Sequence, residues 1–176
     1  IAKTIPTMGA LVKLLMANNR MATKEAGEAL GQALAQNSVL KELDISSNGW
    51  EYKSPLFLDA DGPGFAKELA DGVKNNGAMA KFDISKNELY VAGAKALAEA
   101  MRDNQVMTEL NIADNGLGKT SEYGNADMSG VIAISDAIPT MGALTSLNLA
   151  NNELHAEGAQ QIARQLSPEP RQQGKG

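Results

Sequence analysis

Apolar residues recur along this chain in one nine-residue phrase that occurs five times. The phrase has apolar residues at its first, fourth and sixth positions and asparagine at its ninth. Its copies are LVKLLMANN from Leu11, LKELDISSN from Leu40, MAKFDISKN from Met79, MTELNIADN from Met107 and LTSLNLANN from Leu144. Because positions four and six of an extended segment point to the same side, each phrase predicts a short strand. The predicted strands are residues 14–16, 43–45, 82–84, 110–112 and 147–149.

A second pattern, with apolar residues four positions apart, follows every phrase and predicts an amphipathic helix. It is clearest in VAGAKALAEAMRDN, where Leu97 and Met101 follow Gly93. The other pairs are Leu30 and Leu34, Leu69 and Val73, Ile134 and Ile138, and Ile162 and Leu166. Strand and helix therefore alternate, which predicts an α/β array with parallel strands in one layer and helices in the other. Helices are wider than strands, so such an array curves with the sheet inside.

An asparagine closes each phrase, where the chain leaves the strand for a predicted buried corner. These residues are Asn19, Asn48, Asn87, Asn115 and Asn152. An amide side chain both donates and accepts hydrogen bonds. A stack of them can satisfy turn backbone groups whose burial without a partner would cost about 1–3 kcal/mol each. We therefore interpret the five residues as a structural ladder and not as catalytic groups.

The phrase L-x-x-L-x-L-x-x-N-x-L, followed by a glycine-containing helix, resembles the ribonuclease-inhibitor-like leucine-rich repeat family. The resemblance covers nearly the whole chain, and the repeat from Met79 to Met107 has the 28-residue length of that subfamily. It implies a right-handed curved solenoid with parallel strands on the concave face and helices on the convex face. It also implies a non-catalytic scaffold that binds another protein. In one branch of the family it implies a GTPase-activating protein.

The chain is expected to form one repeat domain over residues 1–166, followed by a mobile tail at 167–176. The segment IPTMGAL at Ile5–Leu11 recurs unchanged at Ile138–Leu144, so residues 1–9 match the end of a helix from an earlier repeat. We therefore expect the chain to be part of a longer repeat protein. Uncapped solenoid ends would allow self-association by stacking. The tail contains two prolines and no apolar residue, which predicts disorder.

Two insertions lengthen alternate repeats, so that successive repeats start 29, 39, 28 and 37 residues apart. They are GWEYKSPLFLDADGPG after Asn48 and GLGKTSEYGNADMSG after Asn115. Together they hold four of the seven aromatic residues, namely Trp50, Tyr52, Phe57 and Tyr123. Loops on a rigid scaffold often bind partners, so we predict that these aromatic residues contact a partner protein. The alternative is that Trp50 and Phe57 only pack the insertion onto the neighbouring coil.

The outward-facing strand positions form a second candidate surface on the predicted concave face. Its partner-binding candidates are Asp44, Asp83, Asn111 and Asn148, preceded in the row by Leu15. Protein interfaces usually centre on Trp, Tyr or Arg, and this row contains none of them. We therefore predict that the aromatic insertions contribute more to binding than the concave face.

Composition excludes several classes of function. The net charge of −5 and the absence of a basic cluster argue against nucleic-acid binding. The chain has no cysteine and no apolar stretch of the roughly 20 residues that span a bilayer. We therefore expect neither a disulfide nor a membrane segment, and a cytoplasmic location.

Three motifs suggest chemistry at first sight, and none is complete. Gly118-Lys119-Thr120 resembles the end of a phosphate-binding loop, but Ala113 occupies the position of its first glycine. Asp59 and Asp61 lack the further oxygen ligands of a calcium loop, so their segment is interpreted as a polar turn before a helix, with an aspartate as the helix cap. His155 has no recognisable nucleophile motif beside it. We therefore expect no cofactor, no metal site and no enzymatic activity.

Overall fold

Strands and helices alternate throughout the residues that the computed structural model describes, which are residues 5, 8–49 and 61–167. The strands are β1 (Lys13–Leu15), β2 (Glu42–Asp44), β3 (Lys81–Asp83), β4 (Glu109–Asn111) and β5 (Ser146–Asn148). The helices are α1 (Lys24–Gln36), α2 (Gly62–Asn75), α3 (Tyr90–Met101), α4 (Ser129–Ala137) and α5 (His155–Leu166). A 3-10 turn at Ile138–Thr140 follows α4. The predicted α/β fold is confirmed.

The five strands form one parallel sheet in sequence order, in a register that places equivalent phrase positions side by side. The middle residues point into the core, and Leu43, Phe82 and Leu110 are buried there. Each strand begins and ends one residue earlier than predicted, because the residue before each buried one also pairs. Backbone bonding nevertheless continues past the strand ends, since the Met16 N–H donates to the Asp44 carbonyl at 2.7 Å.

The helices pack their apolar stripes into the same core as the strands. Leu34, Leu69 and Leu97 are at most 1% exposed. Two predicted core positions are wrong. Ile138 lies beyond α4 and is only partly buried, because Pro139 lacks the N–H and the freedom to continue a helix. Leu166 is 69% exposed at the end of α5. No helix in the described part of the chain is long and apolar enough to cross a membrane.

Helices α1 and α2 approach so closely that glycine is required at their contact. A Cβ atom on Gly72 would lie 2.6 Å from the Cα of Gly31 and still closer to its carbonyl oxygen. One turn away, a Cβ on Gly27 would lie 3.0 Å from the Cα of Phe65. Because these neighbours are backbone atoms, they cannot rotate away as a flexible side chain could. The two helices therefore fit together only with glycine at these sites.

Several predicted segments lie outside the described residues. These are the first insertion from residue 50 to 60, which carries Trp50, Tyr52 and Phe57, and nearly all of the tail. At the other end, Ile5 is fully buried, and its carbonyl accepts hydrogen bonds from the N–H of Met8 and the amide of Asn37. The binding role of those three aromatic residues and the mobility of the tail stay predictions.

Candidate protein-binding surface

The first residues of β1 to β4 form a largely exposed row in which the charges alternate in sign. Lys13 Nζ lies 2.6 Å from Glu42 Oε1, and Lys81 Nζ lies 2.6 Å from Glu109 Oε1. The hydrogen bond to Glu109 raises the pKa of Lys81 above its ordinary value, and the charges of Glu109 and Glu42 act in the same direction. Exposed pairs of this kind contribute little to stability. They set the charge pattern that a partner would meet along this edge.

The third strand residues form the row predicted for the concave face, and local hydrogen bonds fix its polar side chains. Asp83 Oδ1 accepts bonds from the N–H of Ser85 at 2.9 Å and from its hydroxyl at 2.7 Å. The amide of Asn111 donates to the other carboxylate oxygen of Asp83 at 2.7 Å. Asp44 and Asn148 accept from backbone N–H groups two residues further on. Part of the hydrogen-bonding capacity of this row is therefore already used within the chain.

The second insertion forms a small hairpin, residues 118–127, with an antiparallel bridge between Lys119 and Ala126. The hairpin is fixed at its base from both sides. The Gly118 N–H donates to the Asn152 carbonyl, and the Val91 N–H donates to the Lys119 carbonyl, both at 3.1 Å. Lys119 Nζ also pairs with Glu153 at 2.9 Å. Neighbouring repeats on both sides therefore hold the hairpin in place.

Tyr123 lies near the tip of this hairpin and is 87% exposed. At the base, Tyr90 packs against Gly116, which has φ of +63°. Burial raises the pKa of Tyr90 above its ordinary value, and the nearby carboxylates of Glu88 and Glu153 act in the same direction. The exposed tyrosine of the insertion thus lies on a loop whose base packs against a half-buried tyrosine of α3.

The ladder asparagines bond from repeat to repeat in one direction. The Oδ1 atoms of Asn48, Asn87, Asn115 and Asn152 each accept the N–H of the asparagine one repeat earlier, at 2.7–3.2 Å. Their amide groups donate backwards too, as Asn87 does to the Ile45 carbonyl at 3.0 Å. These four are buried, but Asn19 is exposed, contrary to its predicted buried corner. Asn19 is the first asparagine of the ladder, and its amide donates to carbonyls of its own repeat.

Residues of two of the motifs that suggested chemistry have structural partners. Lys119 is engaged with Glu153, and the Gly118 N–H is bonded to a carbonyl, so this loop offers no cradle for a phosphate. Asp61 is the aspartate that caps α2, since its side chain accepts the Gly64 N–H at 2.8 Å. Within residues 5, 8–49 and 61–167, no group of histidine and acidic side chains could hold a metal ion.

A family model described as "Leucine Rich repeat" matches residues 36–49, 103–120 and 144–163. The fold is also that of two solved structures. One is "Leiomodin-1 Actin-Binding Site 2 (ABS2)", with a TM-score of 0.69, 17% identity, and coverage of 94% of this chain and 84% of that one. The other is the tropomodulin C-terminal domain of Caenorhabditis elegans, with a TM-score of 0.66, 10% identity, and coverage of 94% and 90%.

The fold is a leucine-rich repeat solenoid. No curated protein matches the sequence. The two solved structures are too distant in sequence to indicate more than the fold, and the ribonuclease-inhibitor-like subfamily stays a prediction.

Sequence reasoning missed a second series of asparagines in the solenoid, which we call the cap asparagines: Asn37, Asn76 and Asn104. Each follows a helix, and its Oδ1 accepts the N–H groups two and three residues further on, at 2.7–3.0 Å. The amide of Asn76 also donates to the carbonyls of Leu34 and Asn37 in the preceding repeat. A regular spacing in the sequence could have identified these residues, since each cap asparagine lies three residues before the first apolar residue of a phrase.

Proposed function

We propose that this solenoid is a non-catalytic scaffold that binds another protein, with the hairpin at residues 118–127 as the centre of the contact. The observation that carries the proposal is the 87% exposure of Tyr123 on a loop fixed at its base. Tyrosine is enriched at the energetic centres of interfaces, and a fixed loop loses little freedom on binding. We propose a cytoplasmic location and a supporting contact from Trp50, Tyr52 and Phe57.

The concave row is the competing surface. Its side chains Asp83 and Asn111 are bonded to each other, so a partner would gain less by bonding to them. We therefore assign Asp44, Asp83, Asn111 and Asn148 a secondary contribution, in charge and shape. Actin is the first partner to test, because one of the solved structures with this fold is an actin-binding site of leiomodin-1.

Tyr123→Ala is expected to weaken partner binding by about tenfold or more, as the loss of a hot-spot aromatic does. Affinity would be measured by co-sedimentation with actin filaments and by fluorescence anisotropy with labelled monomeric actin. Tyr123→Phe is the matched control, because it keeps the ring, and we expect it to bind nearly as well as the parent chain.

Two double variants compare the surfaces. We expect Trp50→Ala with Tyr52→Ala to weaken binding more than Asp44→Ala with Asp83→Ala does. Equal or reversed effects would move the site to the concave face. If actin does not bind, crosslinking in a native lysate followed by mass spectrometry tests the scaffold role. Recovery of no partner by the parent chain would contradict it.

A further inference from the structure

Three Asn-Gly dipeptides occur in the chain, at Asn48-Gly49, Asn76-Gly77 and Asn115-Gly116. Asparagine followed by glycine is the dipeptide most prone to succinimide formation. In this reaction the backbone nitrogen of the second residue attacks the side-chain carbonyl carbon of the first. Glycine has no Cβ to hinder the approach and gives the backbone the freedom to reach it. The structure of each turn then decides which dipeptide can react.

Two of the three asparagines point away from the glycine that follows them. The amide nitrogens of Asn48 and Asn115 donate to carbonyls three residues earlier, at 2.8 and 3.1 Å. Their Oδ1 atoms accept N–H groups of the preceding repeat, as Asn48 does from Asn19. The Gly49 N–H is bonded to the Lys86 carbonyl, and Gly116 is buried against Tyr90. In both turns the reaction requires the asparagine side chain to break its bonds and the packed glycine to move.

Asn76 faces the other way. Its Oδ1 accepts the N–H of Ala78 at 3.0 Å and that of Met79 at 2.9 Å, so the side chain folds forward over its own chain. The hydrogen bond from Ala78 closes a side-chain turn, and the ring that it closes includes the backbone nitrogen of Gly77. Gly77 is exposed, and a Cβ atom built on it would meet no atom within 4 Å. Gly77 can therefore change conformation without meeting a neighbouring atom, although Asn76 itself is buried and bonded to the preceding repeat.

The other cap asparagines show why the site is unique among the described residues. Asn37 and Asn104 fold forward in the same way, but Ser38 and Gln105 follow them, and these residues carry a Cβ atom. The forward turn and the glycine coincide at Asn76 alone within the part of the chain that the structure describes.

We propose that Asn76-Gly77 is the deamidation site of the folded protein. The Gly77 nitrogen bonds to the side-chain carbon of Asn76, the bond from that carbon to Nδ2 breaks, and the Gly77 proton leaves with the nitrogen as ammonia. Water then opens the succinimide ring at either carbonyl, which leaves aspartate or isoaspartate at this position.

The product loses the amide that joins the ends of α1 and α2. Asn76 Nδ2 donates to the Leu34 carbonyl at 3.0 Å and to the Asn37 carbonyl at 2.7 Å. A carboxylate cannot donate these bonds and places negative charge against two carbonyl oxygens. The modification therefore marks older copies of the chain by loosening the junction between their first two repeats.

The test is incubation of the purified chain at mildly alkaline pH, with peptide mapping by mass spectrometry over time. We expect Asn76 to be modified about tenfold faster than Asn48 and Asn115, because Gly77 is exposed with no atom near it, whereas Gly49 and Gly116 lie against residues of neighbouring repeats. In concentrated urea the three rates should converge. Equal rates in the folded chain, or an unchanged ranking in urea, would overturn the proposal.

Two variants separate the chemistry from a general loss of structure. Gly77→Ala should strongly slow modification at Asn76, because the Cβ atom hinders the attack, and should leave the melting temperature unchanged, since nothing surrounds the new Cβ atom. Ser38→Gly supplies the missing glycine after Asn37, an exposed position in an equivalent turn, and should create a second site there. Absence of modification at Asn37 in this variant would contradict the proposed geometric rule.

Discussion

Replacing Asn87 with alanine is expected to reduce the free energy of unfolding by about 4 kcal/mol, because one buried N–H is orphaned and several bonds are lost together. The Asn48 N–H loses its acceptor, Asn87 Oδ1, at 3.2 Å. The carbonyls of Ile45, Ile84 and Ser85 each lose a donor that lies at 2.8–3.0 Å. Asn87 itself is fully buried, so water cannot replace these bonds without opening the corner.

For a chain of this size, the change corresponds to a melting temperature lower by roughly 10 °C, measured by circular dichroism. Asn19→Ala is the matched control, because the same ladder position is exposed there, and we expect a loss below about 1 kcal/mol. Asn87→Asp can still accept the Asn48 N–H but cannot donate, so it separates the two halves of the interaction. A loss for Asn87→Ala as small as that for Asn19→Ala would contradict the ladder as a source of stability.

Gly72→Ala is expected to destabilise the chain by about 3 kcal/mol, as overpacking against rigid atoms does. The added Cβ atom would lie 2.6 Å from the Cα of Gly31, so α2 would have to move away from α1. The sign of the change in unfolding free energy shows whether the helix contact or helix propensity dominates. In the interior of an unobstructed helix, the same substitution is favourable by about 1 kcal/mol.

Urea denaturation followed by circular dichroism measures the change. Gly77→Ala, five residues further along the chain, is the control, because that site is open on all sides. We expect the control to be neutral within about 0.5 kcal/mol. A Gly72→Ala variant as stable as the parent chain would show that the two helices can separate slightly at no cost.

The strands could be predicted because their physical cause is local. Leu43, Phe82 and Leu110 follow a fixed spacing after the first residue of each phrase, and burial of those side chains needs no knowledge of distant residues. The positions of the ladder asparagines follow from the same phrase. Their direction of bonding does not, because it depends on how one repeat lies against the next. The exposure of Asn19 was missed for that reason.

The glycine contacts and the end of α4 were not predicted from the sequence. Gly31 and Gly72 are 41 residues apart, and no local pattern indicates that their backbones touch. Pro139 could have been used to end α4 at Ala137, but the apolar spacing of Ile134 and Ile138 favoured a longer helix. Here the backbone chemistry of proline outweighs hydrophobic periodicity.

The candidate site was predictable only in part. The sequence indicates that Tyr123 belongs to an insertion, but its 87% exposure depends on a hairpin whose base is bonded to Val91 and Asn152. Those partners lie in other repeats. Composition therefore identifies the loop that carries the aromatic residue, whereas long-range contacts decide whether that residue faces solvent or the core.

The direction of the hydrogen bonds in the asparagine ladder also implies an order in which the repeats fold. Each corner is completed by the amide of the repeat that follows it, as the Asn115 N–H is by Asn152 at 2.8 Å. During synthesis the earlier repeat leaves the ribosome first, so the backbone N–H at its corner lacks an acceptor until the next asparagine has been added. We therefore expect each repeat to gain its full stability after the next one has emerged, so that ordered structure trails the ribosome by one repeat.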